Sequence, residues 1–476
     1  LNLCEAFSTR PWIEKAFQMP RFLFVDLCAQ FVPLFSHLAR TLREMGGEVW
    51  FAAIEDAKAH LLLNHLREPV LFGRSLGGRH ATPLSRGELE ESVREHWEVN
   101  RTGVEDVYFH RYLVEHAARS SGVLDYFLER YKPDAVIVWN GLTGAGRLAV
   151  ELARRRGLDT WFFENGFFPW TLQCDPRGVN FQNSVSPLPG GAFDHVQIDS
   201  QRFQTFIADL RTGRSPDFAH RSETSKRIGD GIGLALLKAR RAHYLEWLPN
   251  WREHMRLRRS FRARTMARPQ IRDQVPISEP YVFVPLQVSN DTQICSYSPH
   301  LPDMNSLIEL VHGAWCTLNR PKLRLVVKEH PAESASVDYT ETRKRYPDIY
   351  WIRAGPTREW LARAAAVVTI NSTAGVEALA LGRPVVTLGK AFYNKDGIVL
   401  HCSEPAQLAS RLVTALGQAP PTDRTERFIY FLRFHYLIEG SWRAWGEETV
   451  SAIARRLTKT DPSLPDPLKA TAIKAD

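Results

Sequence analysis

No run of about 18 apolar residues occurs in the 476-residue sequence, so no helix of the chain is expected to span a membrane. Cysteine is sparse and scattered: six residues, at positions 4, 28, 174, 295, 316 and 402, make no C-x-x-C pair and no metal-ligand spacing. That pattern speaks against a disulfide framework and for reduced, mostly packed thiols in a cytosolic protein. The 16 histidines include no H-E-x-x-H pattern, so zinc has no support and chemistry without a metal or a resident cofactor is expected. The first ten residues carry Glu5 and lack a basic stretch followed by an apolar one, unlike a signal peptide. No internal repeat with a period of roughly 20 to 50 residues is visible, which argues against solenoids and propellers.

What is present is an ordinary globular composition, 44% apolar and 24% charged, in a chain too long for one core. Short apolar strands at 21–27, 48–54, 134–140 and 159–164 are separated by helical patterns such as 33–45 and 146–156. A second set of strands at 281–287, 323–330, 349–353, 367–370 and 384–388 follows the same rhythm. Such alternation predicts an α/β protein with two doubly wound Rossmann-type domains, each a parallel sheet covered by helices, facing across a cleft. The expected boundaries are 1–223 for the N-terminal domain, 224–275 for a basic amphipathic helical segment, 276–416 for the C-terminal domain and 417–476 for closing helices and a tail. Residues 407–416 and 426–445 read as helices that close the second domain and cross back to the first, and 462–476 as a frayed end.

Three polar turns follow buried strands of the second set, at the edge where open α/β sheets bind ligands. In the first, Asn371, Ser372 and Thr373 join a strand to a helix that Gly382 and Pro384 terminate. The turn is either an N-cap or an anion site built from helix N–H groups and two hydroxyls. In the second, Lys328, Glu329, His330 and Pro331 follow an apolar strand, and the proline biases His330 towards an extended conformation. In the third, Gln287 leads into Val288, Ser289, Asn290, Asp291, Thr292 and Gln293. There Asp291 is either a turn cap or a reactive carboxylate.

Net charge is +8, but residues 224–272 hold 13 basic against three acidic side chains, so the rest of the chain is slightly acidic. Trp247, Trp251, Leu248 and Leu257 interleave with the arginines. A basic face with Trp and Leu suits an anionic membrane surface, a solvated linker is the plain alternative, and no recognised motif supports nucleic acid.

The runs Leu286 to Ile294, Val327 to Pro331 and Val367 to Gly375, with the Gly389 to Gly397 continuation, resemble the bacterial capsule polysaccharide synthesis proteins of the KpsS and LipB type, retaining β-Kdo glycosyltransferases. Phe163, Glu164, Asn165, Gly166, Phe167, Phe168 and Pro169, then Gly178 to Asn180, extend the resemblance over about residues 130 to 400. One departure is Phe168, Pro169 and Trp170, where that family often has a basic residue. The resemblance implies a GT-B fold, CMP-Kdo as donor and a lipid or lipid-linked glycan as acceptor on the N-terminal domain. It implies Asp291 as nucleophile and Glu164 as general base for the acceptor hydroxyl. His330, Ser372 and Thr373 would hold the donor phosphate, Gln287, Lys328 and Asn371 would complete the nucleotide side, and Glu377 would either reach the ribose or base or stand as an exposed helical glutamate. Read together with the basic segment at 224–275, it points to a cytoplasmic protein, peripheral on the inner face of the membrane through that segment, in contact with capsule assembly and export machinery. A CDP-dependent polyol phosphate transferase and a non-enzymatic export factor are the alternatives.

Overall fold

The structure, a computed structural model, describes residues 19–54, 56–72, 80–100, 107–142, 144–222, 278–289, 291–330, 337–353, 355–417 and 423–460. The basic segment expected at 224–275 and the tail expected at 462–476 lie outside the described residues.

The N-terminal sheet contains β1 (Arg21–Val25), β2 (Glu48–Ala53), β3 (Val70–Phe72), β4 (Ala135–Trp139), β5 (Asp159–Asn165) and β6 (Thr171–Asp175). A two-residue strand, β7 (His220–Arg221), lies apart from it. The C-terminal sheet contains β8 (Tyr281–Pro285), β9 (Arg324–Lys328), β10 (Tyr350–Ile352), β11 (Ala366–Thr369), β12 (Val385–Thr387) and β13 (Leu400–His401). Two last strands, β14 (Ile438–Glu439) and β15 (Ala444–Trp445), pair with β6 and β7 respectively.

Side-chain alternation explains why the strands are almost wholly apolar. Phe22 and Phe24 enter the core on one face of β1, while Leu23 and Val25 enter the core on the other. The C-terminal sheet runs β10-β9-β8-β11-β12-β13 with every pair parallel. The N-terminal sheet runs β14-β6-β5-β4-β1-β2-β3, parallel from β5 to β3. Strand order therefore reverses between β8 and β11 in one domain and between β1 and β4 in the other. Each reversal opens a crevice at the carboxyl edge of its sheet. The two facing Rossmann-type domains form the GT-B arrangement.

Several elements differ from the expectation. β6 runs antiparallel to β5, closing a hairpin that alternation alone does not foretell. Helices Arg86–Asn100 and Val107–Tyr131 occupy a stretch that the pattern left blank. Residues 426–445 are only partly helical: helix Asp423–Phe431 passes into a π-helical turn, Leu432–Tyr436, and then into β14 and β15. The return to the N-terminal domain takes place, but as a strand added to its sheet. It is followed by helix Glu447–Leu457, whose Val450, Ile453 and Leu457 pack in one cluster with Phe35 and Leu38.

The domains are tied together tightly. Phe167 stacks on Phe392 at 4.0 Å, and Arg424 holds Asp194 through two bonds of 2.8 and 2.7 Å. Buried Lys395 donates from Nζ to the carbonyls of Val185, Ser186 and Leu188 at 3.0, 3.2 and 2.6 Å. Burial pulls its ammonium down to about 8.

Candidate active site

A cavity of about 340 Å³ lies where the carboxyl edges of the two sheets meet. From the C-terminal domain it is lined by Gln287, Asp291, His330, Asn371, Ser372 and Thr373, so three turns far apart in the chain converge on one crevice. Topology explains this, because β8, β9 and β11 are neighbours at the point where strand order reverses.

Most of the polar atoms on this wall are engaged with one another. Gln287 Nε2 donates to Asn371 Oδ1 at 2.9 Å, and Gln287 Oε1 accepts from Asn371 N at 3.2 Å and from the Thr369 hydroxyl at 3.3 Å. Asn371 Nδ2 donates to the Gln293 carbonyl at 2.8 Å. Gln287 and Asn371 thus lock the turn after β8 to the turn after β11. Ser372 is the N-cap of helix Thr373–Ala380, its hydroxyl accepting from Ala374 N at 3.2 Å. Its carbonyl accepts from the buried Tyr393 hydroxyl at 2.6 Å. A Cβ on Gly375 would lie 2.5 Å from that hydroxyl, which accounts for glycine there. Thr373, one residue on, is exposed at the cavity wall.

Asp291 is also an N-cap, of helix Thr292–Tyr297. Its Oδ1 accepts from Gln293 N at 2.9 Å and from the Thr292 hydroxyl at 3.3 Å. Both sequence-based readings of this residue hold together: one oxygen caps, and the carboxylate remains exposed in the cavity.

Two residues expected on the nucleotide side stand outside the cavity wall. Lys328 is the last residue of β9 and only 3% exposed, its side chain on the inner face that it shares with Val326. Glu377 lies one turn down helix Thr373–Ala380 beside Arg358 rather than at the open end. Burial pushes its carboxyl up to about 7, with Arg358 opposing. Next to Lys328, buried Glu329 pairs with Arg343, and with Arg353 at 3.5 Å, fixing the end of β9 from which His330 projects into the cavity.

The opposite wall comes from the N-terminal domain: Asn140 after β4, Glu164, Asn165 and Gly166 at the end of β5, and Asn180 and Phe181. Glu164 Oε1 accepts from Asn165 N at 2.8 Å and from Asn165 Nδ2 at 3.0 Å, and Oε2 accepts from Asn140 Nδ2 at 3.5 Å. Burial holds this carboxyl above the ordinary carboxylate range; the Asn165 and Asn140 bonds pull it down, and the negative charge of Asp291 across the cleft pushes it up. Gly166 closes the β5–β6 turn: its N–H donates to the Thr171 carbonyl at 2.7 Å, and a Cβ would fall 1.9 Å from Thr171 Oγ1.

Sequence reasoning gave no role to the amides that hold Glu164, although Asn165 stands in the run that carries the resemblance. Asn140 carried a usable signal, a polar residue directly after an apolar strand. Trp442 carried none. Its Nε1 donates to Asn165 Oδ1 at 3.2 Å from 277 residues away, delivered by the turn between β14 and β15. Gln182 Nε2 likewise bridges the domains to the Tyr297 hydroxyl at 2.6 Å.

Away from the cavity, two groups among the described residues could hold a metal: His37, His220 and Glu447, and His312, Cys316 and Asp348. In the first, His37 Nδ1 accepts from Trp445 Nε1 at 3.1 Å, so the neutral ring carries its proton on Nε2 and directs it at Glu447. That arrangement is a hydrogen-bonded clamp between helices.

The model of the family described as capsule polysaccharide biosynthesis protein matches residues 239–414. Protein FixF of Sinorhizobium fredii (strain NBRC 101917 / NGR234) is 30% identical over 340 residues, 70% of this chain and 68% of that protein. The capsule polysaccharide export protein KpsS of Escherichia coli is 26% identical over 291 residues, 56% of this chain and 70% of that one. Among solved structures, the beta Kdo 2,7 transferase KpsC of Thermosulfurimonas dismutans aligns over 92% of this chain and 99% of that one, with 14% identity and a TM-score of 0.42.

Proposed function

Because the chain belongs to the capsule polysaccharide biosynthesis protein family, we propose that it is a glycosyltransferase that moves Kdo from CMP-Kdo to a lipid-linked acceptor with retention of configuration. The observation that carries this reading is the pair of carboxylates on opposite walls of one interdomain cavity, Asp291 and Glu164, close enough for one charge to act on the other. Double displacement needs such a pair: a nucleophile and a separate base.

In the first step an Asp291 oxygen bonds to the anomeric carbon, and the bond from that carbon to the phosphate oxygen breaks with its electron pair leaving on CMP. His330 and the N–H groups at the start of helix Thr373–Ala380 face the leaving phosphate and stabilise its charge. In the second step Glu164 takes the proton of the acceptor hydroxyl, whose oxygen displaces Asp291 from the opposite face. Two inversions give retention. Gln287 and Asn371 keep the two donor-side turns in register.

Peripheral binding to the inner face of the cytoplasmic membrane through the basic segment at 224–275, and contact there with capsule assembly and export machinery, complete the proposal. No helix among the described residues is long and apolar enough to cross a membrane. The test is incubation of the purified chain with CMP-Kdo and an acceptor, followed by CMP release and by intact-mass detection of a Kdo adduct on Asp291. Release of CMP with an adduct supports double displacement, and release without an adduct under rapid quench removes the nucleophile role. No release with any acceptor would leave the export-factor alternative standing.

A further inference from the structure

A second cavity, of about 460 Å³, opens on the N-terminal domain beside the first. One turn of chain borders both: Gly166 lines the interdomain cleft, and Trp170 lines the second cavity. Gly166 is paired with Thr171, the residue after Trp170, so the two walls stand within roughly 9 Å of each other at the backbone.

The wall of this second cavity is built from unusual pieces. Trp170 is held in the left-handed region at φ 58°, with its carbonyl accepting from Gly440 N at 2.8 Å. A bulky side chain in that region is strained, and such strain gathers at ligand sites. The π-helical turn Leu432–Tyr436, itself a kind of irregularity frequent at functional sites, supplies Arg433 and Phe434. The Arg202 guanidinium lies 4.2 Å over the Phe434 ring and that of Arg433 lies 5.1 Å over it. Arg433 is paired with Glu439, whereas Arg202 and Arg214 form no ion pair among the described residues. Asp209 lines the same cavity.

These groups specify a ligand class. A guanidinium backed by a ring keeps its N–H edge for a carboxylate, and an indole face accepts the C–H face of a sugar ring. Asp209 would accept hydroxyl protons, which a polyhydroxylated acid offers in greater number than a phospholipid headgroup. We infer that this cavity is a second saccharide subsite, which takes an acidic sugar unit of the acceptor glycan next to the unit in the cleft. The inference rests on the glycosyltransferase reading for the word acceptor, and on the cavity alone for the binding.

The test uses the full chain without donor, titrated calorimetrically with a soluble trisaccharide of 3-deoxy-2-keto sugar acids, with its carboxyl-reduced counterpart, and with phosphatidylglycerol vesicles. The trisaccharide should bind about tenfold more weakly to the R202Q/R214Q double variant, the loss of a charge-assisted pair. The reduced trisaccharide should bind weakly to both forms. Trp170→Gly, which suits the left-handed backbone, should weaken binding as well, with unchanged melting curves showing that each variant folds. Equal trisaccharide affinity in both variants overturns the inference, and so does a loss confined to vesicle binding, which would assign the cavity to a lipid headgroup. CMP release from CMP-Kdo by a chain that fails this titration sinks the subsite alone. Binding through Arg202 and Trp170 without any CMP release sinks the transferase reading alone.

Discussion

The two walls of the cleft are built on different principles. The C-terminal wall consists of strand-turn-helix units of a single sheet, whose side chains bond chiefly to one another: Gln287 to Asn371, Asn371 to Gln293, Ser372 to its own helix. The N-terminal wall also draws in the last part of the chain, since Glu164 is held by Asn140 and Asn165, and Asn165 in turn by Trp442. A wall built within one sheet is preorganised as soon as its strands pair, whereas the other waits for the last part of the chain to dock. The first therefore suits fixed recognition of a donor. The second lets chemistry at the acceptor side be tuned by residues that never touch substrate.

The strongest way to break this comparison is at Asp291. Asparagine caps a helix as well as aspartate does, so Asp291→Asn should keep the cap, the fold and CMP affinity. It should lose transfer by more than roughly 10³-fold, because the amide cannot serve as nucleophile. Rate measurement alongside a CMP titration checks this, and near-normal turnover would reduce Asp291 to a cap.

Glu164→Gln comes next, with an expected loss of about 10² to 10⁴ in rate, the range for a general base. A base acts only when deprotonated, and burial with the nearby Asp291 charge raises this carboxyl. The wild-type rate should therefore fall as pH drops through a value above the ordinary carboxylate range, and that acid limb should vanish in the variant. A pH profile of kcat/KM decides the matter.

Trp442→Phe should cost only about fivefold, in line with one lost hydrogen bond. Its signature is directional. Freed from the indole, Asn165 would hold the Glu164 carboxylate less well, and those bonds favour the charged form, so the acid limb should move to higher pH. A lower melting temperature with an unmoved limb would show that Trp442 is structural only.

The smallest effect falls on stability. Glu377 has its folded-state pKa raised to about 7 by burial, so the native chain holds a proton that the unfolded chain has lost. Wild-type stability should decline as pH rises from the unfolded value of this carboxyl to about 7, and level off above it. Glu377→Gln should lack this decline, with a relative gain of about 2 kcal/mol at pH 8. Parallel stability curves for the two proteins would mean that the carboxyl is not buried in solution.

Legibility follows the same division. β8 and β11 are wholly buried parallel strands, and β9 is buried from Leu325 on, so each reads mainly as an apolar run, and the polar residues immediately after it fall at the sheet edge by necessity. That logic reached Gln287, Asp291, His330 and Asn371 to Thr373, and it would have reached Asn140 had it been applied to β4. It misplaced Lys328 and Glu377, because sequence position tells where a strand or helix ends but not which side of it a given residue faces there. It was blind to Trp442, to the Lys395 carbonyl contacts and to β14, which depend on pairing between distant segments. Helices Arg86–Asn100 and Val107–Tyr131 were passed over for a different reason: their charged faces dilute the apolar stripe that would have marked them.

Lys395 sets the gape of the cleft. Its ammonium spends all three protons on carbonyls of the facing domain, so its donor capacity is saturated in the arrangement seen. Prising the halves apart at this point breaks all three charge-assisted hydrogen bonds together. The lower and upper jaws are thus pinned near residue 395, and any widening must pivot about that pin rather than run through it. Since burial lowers this ammonium to about 8, alkaline conditions strip a proton from the pin and loosen the jaws without touching a single group in the cavity.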